Sequence, residues 1–196
     1  MLGEKEARRR TLDNSELSKL WHGAASLVYP FEEVYRLLIL TGLRLNEVAD
    51  ASWSEFDIEK RLWTIPAGRM KAELAHVVPL CDCMVEIIQA IPKWRLGKFL
   101  FSATSGAKPV YVSNKVKLRL NEIVGFGDWV NHDIRRTVRT NLSRLAIEEH
   151  VRELMLAHTR KGIAGVYDRH SYLDEKRAGF ELWCARVQEI VSEPPS

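Results

Sequence analysis

The stretch Asn131-His132-Asp133-Ile134-Arg135-Arg136-Thr137 decides how this chain is read, and two downstream stretches complete it, Leu156-Ala157-His158 and Val166-Tyr167-Asp168-Arg169-His170. His132 and Arg135 lie three residues apart, on one face of a helical pattern running from His132 to Leu145. His158 adds a second imidazole, and Tyr167 follows nine residues later. Basic groups on one helix face, a further histidine and a phenol suit attack on a phosphodiester, chemistry that needs no metal. Tyr167 is the candidate nucleophile. A free phenol, with a pKa near ~10, must be helped to lose its proton at neutral pH. His132 titrates near neutrality and is the candidate proton acceptor. A lone histidine reads as a cap or core residue; Arg135 on the same face points to the site instead.

Further upstream, Thr41-Gly42-Leu43-Arg44-Leu45-Asn46-Glu47 supplies a second guanidinium. Pro30 opens a helix whose apolar positions Val34, Leu37, Leu38 and Leu40 run to Gly42, a C-cap residue. Arg44 therefore follows a helix end and adjoins the start of a short helix bearing Leu45, Val48 and Ala49. Glu47 lies one turn beyond and is placed to hold the Arg44 guanidinium. Arg44 and Arg135 together are the candidate clamp on non-bridging phosphate oxygens, because a guanidinium fork matches phosphate geometry and stays charged at every working pH.

The remaining pattern is mostly helical. Asp13-Asn14-Ser15 are good caps for a first helix with Leu17, Leu20 and Trp21 at helical spacing. Between Trp53 and Leu80 the period shortens into runs bearing Trp53, Phe56 and Ile58, then Leu62, Trp63 and Ile65, then Val77 and Val78, which predicts a small antiparallel sheet. Glu59-Lys60-Arg61 is the expected first turn, and Pro66 to Leu74 a longer polar connection carrying Lys71. Helical pattern returns at Met84-Val85-Ile87-Ile88, at Val112 to Ile123, at Glu148 to Ala157, and from Leu173 to Ile190, where Phe180, Trp183, Val187 and Ile190 form a stripe. That stripe either folds onto its own core or docks on a neighbouring copy. The expected organisation is a flexible lead-in over 1–12, one α+β domain over 13–191, and a tail over 192–196.

Composition limits what this can be. With 196 residues and 46% apolar content, one core is expected. No apolar run has transmembrane length and the first ten residues lack a signal-peptide core, so a cytoplasmic protein is expected. Cys81, Cys83 and Cys184 have no zinc-site spacing and an odd count, and read as reduced thiols, with no bound metal and no cofactor. The net charge of +3 favours an anionic partner only mildly.

With Arg44 and Lys71 added, the constellation resembles the tyrosine recombinase (phage integrase) family, most closely the integrases of prophages and genomic islands. The resemblance runs from about Leu17 to Trp183 and fills six family positions in order: Arg44, Lys71, His132, Arg135, His158 and Tyr167. Met70-Lys71 through His76-Val77-Val78-Pro79-Leu80 is similar to the family's lysine hairpin, with Ala75 where many members carry proline. The resemblance implies the mainly α catalytic-domain fold with a small sheet, Lys71 as general acid for the leaving 5′ hydroxyl, and His158 as a donor to the phosphate. It implies double-stranded DNA as partner, a homotetramer on that DNA, an accessory bending protein in some systems, and an N-terminal clamping domain beside a catalytic domain such as this. Arg136, Arg139, Arg144, Arg160 and Lys161 are expected to contact phosphates. Gly162 and Gly165 suggest a mobile Tyr167 segment. Other histidines, among them His76, read as structural. A type IB topoisomerase and a catalytically silent DNA-binding module share much of this pattern and stay open.

Overall fold

The structure, a computed structural model, describes residues 8–158 and 172–192. Tyr167, Arg160, Lys161, Gly162 and Gly165 lie outside the described residues. Helices dominate: α1 (Asn14–Ala24), α2 (Phe31–Thr41), α3 (Leu45–Ala49), α4 (Asp82–Ala90), α5 (Asn114–Val124), α6 (Asn131–Leu142), α7 (Glu149–Met155) and a C-terminal helix α8 (Leu173–Ser192). Strands β1 (Phe56–Asp57), β2 (Leu62–Ile65) and β3 (His76–Pro79) form one antiparallel sheet in that order. The mainly α fold with a small antiparallel sheet is thus the one the sequence predicts.

Helix α2 is the hub. Val34, Tyr35 and Leu37 to Thr41 are all buried, so it is apolar around most of its circumference and packs against α1, α3, α4, α6 and α8. It ends where the sequence says it should. Gly42 adopts the left-handed conformation at φ 64° and returns its N–H to Leu38 O. A Cβ there would stand 2.7 Å from Leu156 Cδ2 and 2.9 Å from Val138 Cγ1, so α6 and the end of α7 close directly on this turn. At the other end of the chain's first helix, Asp13 accepts from Glu16 N while Glu16 returns to Asp13 N, a complete capping box.

The sheet shows the expected alternation. Trp63 and Ile65 face the core while Thr64 is exposed, and β2 pairs Trp63 with Val78 and Ile65 with His76. Phe56 stacks on Trp63 at 4.9 Å between centroids. The first strand is shorter than expected: Trp53 to Glu55 form a 3₁₀ turn. Its cause is local, since the Glu55 carboxylate turns back to accept from Ser52 N and Ser52 Oγ and also takes the indole N–H of Trp63.

Helix α8 folds back on its own chain. Phe180, Trp183, Val187 and Ile190 are buried, the helix packs on α1, α2, α7 and β3, and Trp183 Nε1 donates to Ile39 O at 3.0 Å. Residues 8–12, part of the expected lead-in, are tethered to α6: Leu12 is buried and its N–H reaches Thr137 Oγ1 at 2.8 Å, while Arg8 pairs with Asp133 at 2.9 Å and Asp128 at 2.8 Å. Buried Leu12 and a buried carboxylate on α6 give this segment partners that its charged composition concealed. The three cysteines are free, with Cys81 and Cys184 buried. No helix among the described residues is long and apolar enough to cross a membrane.

Candidate functional site

Arg135 sits at the centre of the site and is almost wholly buried, at 4% exposure. Its Nη1 donates to Gly42 O at 2.7 Å, and its Nη2 to Leu156 O. The guanidinium thereby bridges the C-terminal ends of α2 and α7, whose last carbonyls have no partner within their own helices. Among the described residues, two of its five N–H donors are spent in this way. Burial, and next the charge of Arg44, bring its pKa down to about 10. It still carries its charge at neutral pH, held close to a second cation and, among the described residues, with no carboxylate in hydrogen-bonding contact.

Arg44 flanks it from the turn after Gly42. Glu47, itself buried, accepts from Arg44 Nη1 at 2.7 Å and from Arg44 N at 2.8 Å. The expected Arg44–Glu47 pairing is therefore present, and it fixes a side chain that remains one-third exposed. His132 lies exposed on the first turn of α6. Its pKa is lowered by partial burial and by the charges of Arg136, Arg135 and Arg44, which places the imidazole in the same field and keeps it neutral at pH 7. His158 follows the end of α7, with Nδ1 2.6 Å from Glu153 Oε2. Burial, with help from Arg135, outweighs this carboxylate and lowers its pKa also.

Lys71 is exposed in the β2–β3 connection, as its polar surroundings predict. The residues before it are not free to drift. Met70 is buried, and Arg69 donates to Glu47 O at 2.8 Å and Asn46 O at 3.1 Å while pairing with Glu55. The connection is thus fastened to α3, behind Arg44. The fold brings Arg44, His132, Arg135 and His158 together, with the lysine connection tied to the same helix.

Several contributors were invisible in the sequence. Glu153 takes His158 through Oε2 and Arg139 through Oε1; it sits five and fourteen positions from these partners, so no single helical rule links all three. Asp133, fully buried, accepts from Val130 N and pairs with Arg8 and Arg136. Arg136 and Arg139, expected to meet phosphates, are each paired with a carboxylate of the chain, although Arg139, like Arg144, is exposed. The sequence does carry one further signal: residues 87–121 contain seven Lys and Arg and no Asp or Glu. Of the seven, Arg119 alone pairs with a carboxylate among the described residues. Leu96 and Tyr111 stand 93% and 84% exposed on the same stretch, alongside Trp94.

The tyrosines divide clearly. Tyr35 is buried with its hydroxyl on Asn131, and burial raises its pKa; Tyr29 is likewise raised by burial and donates to Leu100 O. Tyr172 caps α8 through its carbonyl and packs edge-on to His150.

A family model described as the phage integrase family matches residues 10–173, and the chain belongs to that family. It is 33% identical over 160 residues to the prophage integrase IntZ and 29% identical over 159 residues to the prophage integrase IntS, both of Escherichia coli K12, and 28% identical to the integrase of Shigella phage Sf6. Each alignment covers 80% of this chain, which spans about two fifths of the length of those relatives (39–41%). Among solved structures it is similar to the integrase of mycobacterium phage Brujita, with TM-score 0.69 and 17% identity over 97% of this chain and 66% of that one. It is also similar to the XerA recombinase, with TM-score 0.65 and 18% identity over 85% and 62%. A third is the Tn1549 transposon integrase in complex with circular intermediate DNA, with TM-score 0.62 and 17% identity over 90% and 66%. The fold is that of tyrosine recombinase catalytic domains.

Proposed function

We propose that this chain is the catalytic domain of a site-specific DNA recombinase that cuts and rejoins strands through a 3′-phosphotyrosyl intermediate, for integration or excision of a mobile element. The observation that carries the reading is the convergence of Arg44 and Arg135 with His132 and His158, close enough for the arginine charges to act on both imidazoles or on each other. In this reading the Tyr167 oxygen attacks phosphorus and the phosphorus–O5′ bond breaks. His132, its pKa lowered by partial burial and by its cationic neighbours, accepts the phenol proton, and Lys71 gives a proton to the departing 5′ oxygen. Arg44, Arg135 and His158 hold the charge that grows on the phosphorane oxygens. The phosphotyrosine ester conserves the bond energy, so the reverse attack by a 5′ hydroxyl needs no cofactor or metal.

The testing experiment uses a nicked suicide duplex and a denaturing gel. The parent chain is expected to form a covalent protein–DNA adduct, and Tyr167→Phe none. An adduct that persists in Tyr167→Phe, or no adduct from the parent on any duplex including the element's own attachment site, overturns the assignment.

Double-stranded DNA is the proposed partner, with a homotetramer on the paired sites, an accessory bending protein where the system uses one, and the cytoplasm as its place of action. Phosphate contacts are assigned to Arg136, Arg139, Arg144, Arg160 and Lys161, with the first two needing to leave Asp133 and Glu153. The acid-free stretch 87–121 is the stronger candidate surface, because among the described residues none of its cations but Arg119 has such a tie. Lys93, Lys98 and Lys108 are exposed, and replacing all three by glutamine is expected to flatten the slope of log affinity against log salt by roughly 2–3. A slope equal to the parent's removes this surface from the interface.

A further inference from the structure

Glu153 has no step in the scheme above, yet it holds one of the residues that does. Its Oε2 lies 2.6 Å from Nδ1 of His158, while its Oε1 takes Nε of Arg139 at 3.1 Å and Nη2 at 2.9 Å. Each carboxylate oxygen thus has its own partner, one just past the end of α7 and one on α6. The backbone makes the first contact possible. Helix α7 ends at Met155, Ala157 turns into the left-handed region at φ 51°, and His158 N returns to Glu153 O at 2.9 Å. This turn folds the imidazole back against the helix that carries Glu153, across a five-residue separation that a continuing helix would leave on different faces.

The contact fixes more than orientation. Burial pushes the Glu153 carboxyl up, but its hydrogen bonds with His158 and Arg139 hold it below the usual carboxylate range. At neutral pH it is ionised and can only accept, so the hydrogen-bond pattern assigns a proton to Nδ1 of His158. Nε2 of the neutral ring is then a lone pair, which repels a phosphate oxygen, and it donates only when the ring is an imidazolium. Burial pushes the ring's pKa down, the charges of Arg135 and Arg139 on α6 push the same way, and Glu153 opposes them. The resting ring is neutral at pH 7, with a carboxylate already in place to stabilise a second proton.

We propose that Glu153 is a positioning residue that holds His158 through its Nδ1–H and supports its imidazolium, so that Nε2 takes a proton from solvent and becomes a donor when a phosphate anion arrives. The proposal rests on the reading of His158 as a donor to the phosphate, and its test separates the two. Glutamine at this position keeps the size and hydrogen-bonding capacity of the side chain and removes only the charge, so a purely structural strut would tolerate it.

Nitrogen NMR of the histidine rings in the intact chain reads the coupling without any activity. The parent is expected to carry the proton of neutral His158 on Nδ1, and Glu153→Gln to lower the titration midpoint of that ring by about one pH unit. Above the midpoint, a shift of one unit leaves about tenfold less imidazolium. Single-turnover cleavage of the suicide duplex on the alkaline side of its pH profile is therefore expected to fall about 10-fold in Glu153→Gln, with that limb moved by the same unit and DNA affinity unchanged. Glu153→Asp keeps the charge and is expected to lie nearer the parent in both readings. An unchanged midpoint in Glu153→Gln overturns the proposal, and so does a shifted midpoint with an unmoved cleavage profile. A parent that makes no adduct, with the midpoint still following the charge at this position, defeats the cleavage reading and leaves the hold of Glu153 on His158 supported.

Discussion

Replacing Arg135 with lysine is expected to slow strand cleavage by about 10²–10³-fold and to cost about 1–3 kcal/mol of stability. Both effects come from one side chain. The guanidinium spans Gly42 O and Leu156 O, which belong to different helices, and keeps donors for a phosphate. An ammonium is a single point on a flexible stem and cannot satisfy two separated carbonyls while facing an anion. One buried carbonyl is left without a partner, and the turn leading to His158 loosens. Arg44→Lys supplies the contrast. Arg44 is one-third exposed and held by a neighbour three residues away, so its replacement is expected to slow cleavage with a stability change under about 1 kcal/mol. Urea titration of both variants, beside single-turnover cleavage, checks the pair. Equal stability losses would show that Arg135 does not brace the two helix ends.

Gly42→Ala is the second large effect, expected to destabilise by about 2–5 kcal/mol from backbone strain plus overpacking. The left-handed φ of 64° is costly for any residue with a Cβ, and that Cβ would lie within 2.7 Å of Leu156 and 2.9 Å of Val138. Neither neighbour can retreat easily, as both are buried, at 0% and 1% exposure. The same turn presents the carbonyl that Arg135 holds, so cleavage should fall together with stability. A glycine at a C-cap that faced solvent would cost only the backbone part. A measured loss below about 1 kcal/mol would mean that α6 and α7 do not close on Gly42 as described.

What could be read from the sequence was local. Asp13 with Glu16, Gly42 after Leu40, and Arg44 with Glu47 are interactions within one turn, where spacing alone fixes which groups meet. The alternation in β2 and the stripe on α8 likewise state which face is apolar, because the helical and strand periods do not depend on what lies opposite. The same local logic misjudged the first strand, where a Ser52–Glu55 capping box bent Trp53 to Glu55 into a 3₁₀ turn, a short-range competitor that apolar periodicity does not register.

The chain by itself therefore determined the helices, the small sheet, and the residue types gathered for phosphate chemistry. Only the tertiary structure decided their electrostatic circumstances. Arg135 looks like any helix-surface arginine until the ends of α2 and α7 close over it, and the partner carbonyls lie 93 and 21 residues away. His76 looks like any strand residue until α8 packs on β3 and the ring is buried. Arg139 looks free until Glu153, fourteen residues on, pairs with it. Such partners are chosen by packing between elements, and burial changes the strength of every charge it encloses. Sequence spacing specifies what shares a turn, whereas the field at a site comes from chain segments that meet only when the core forms.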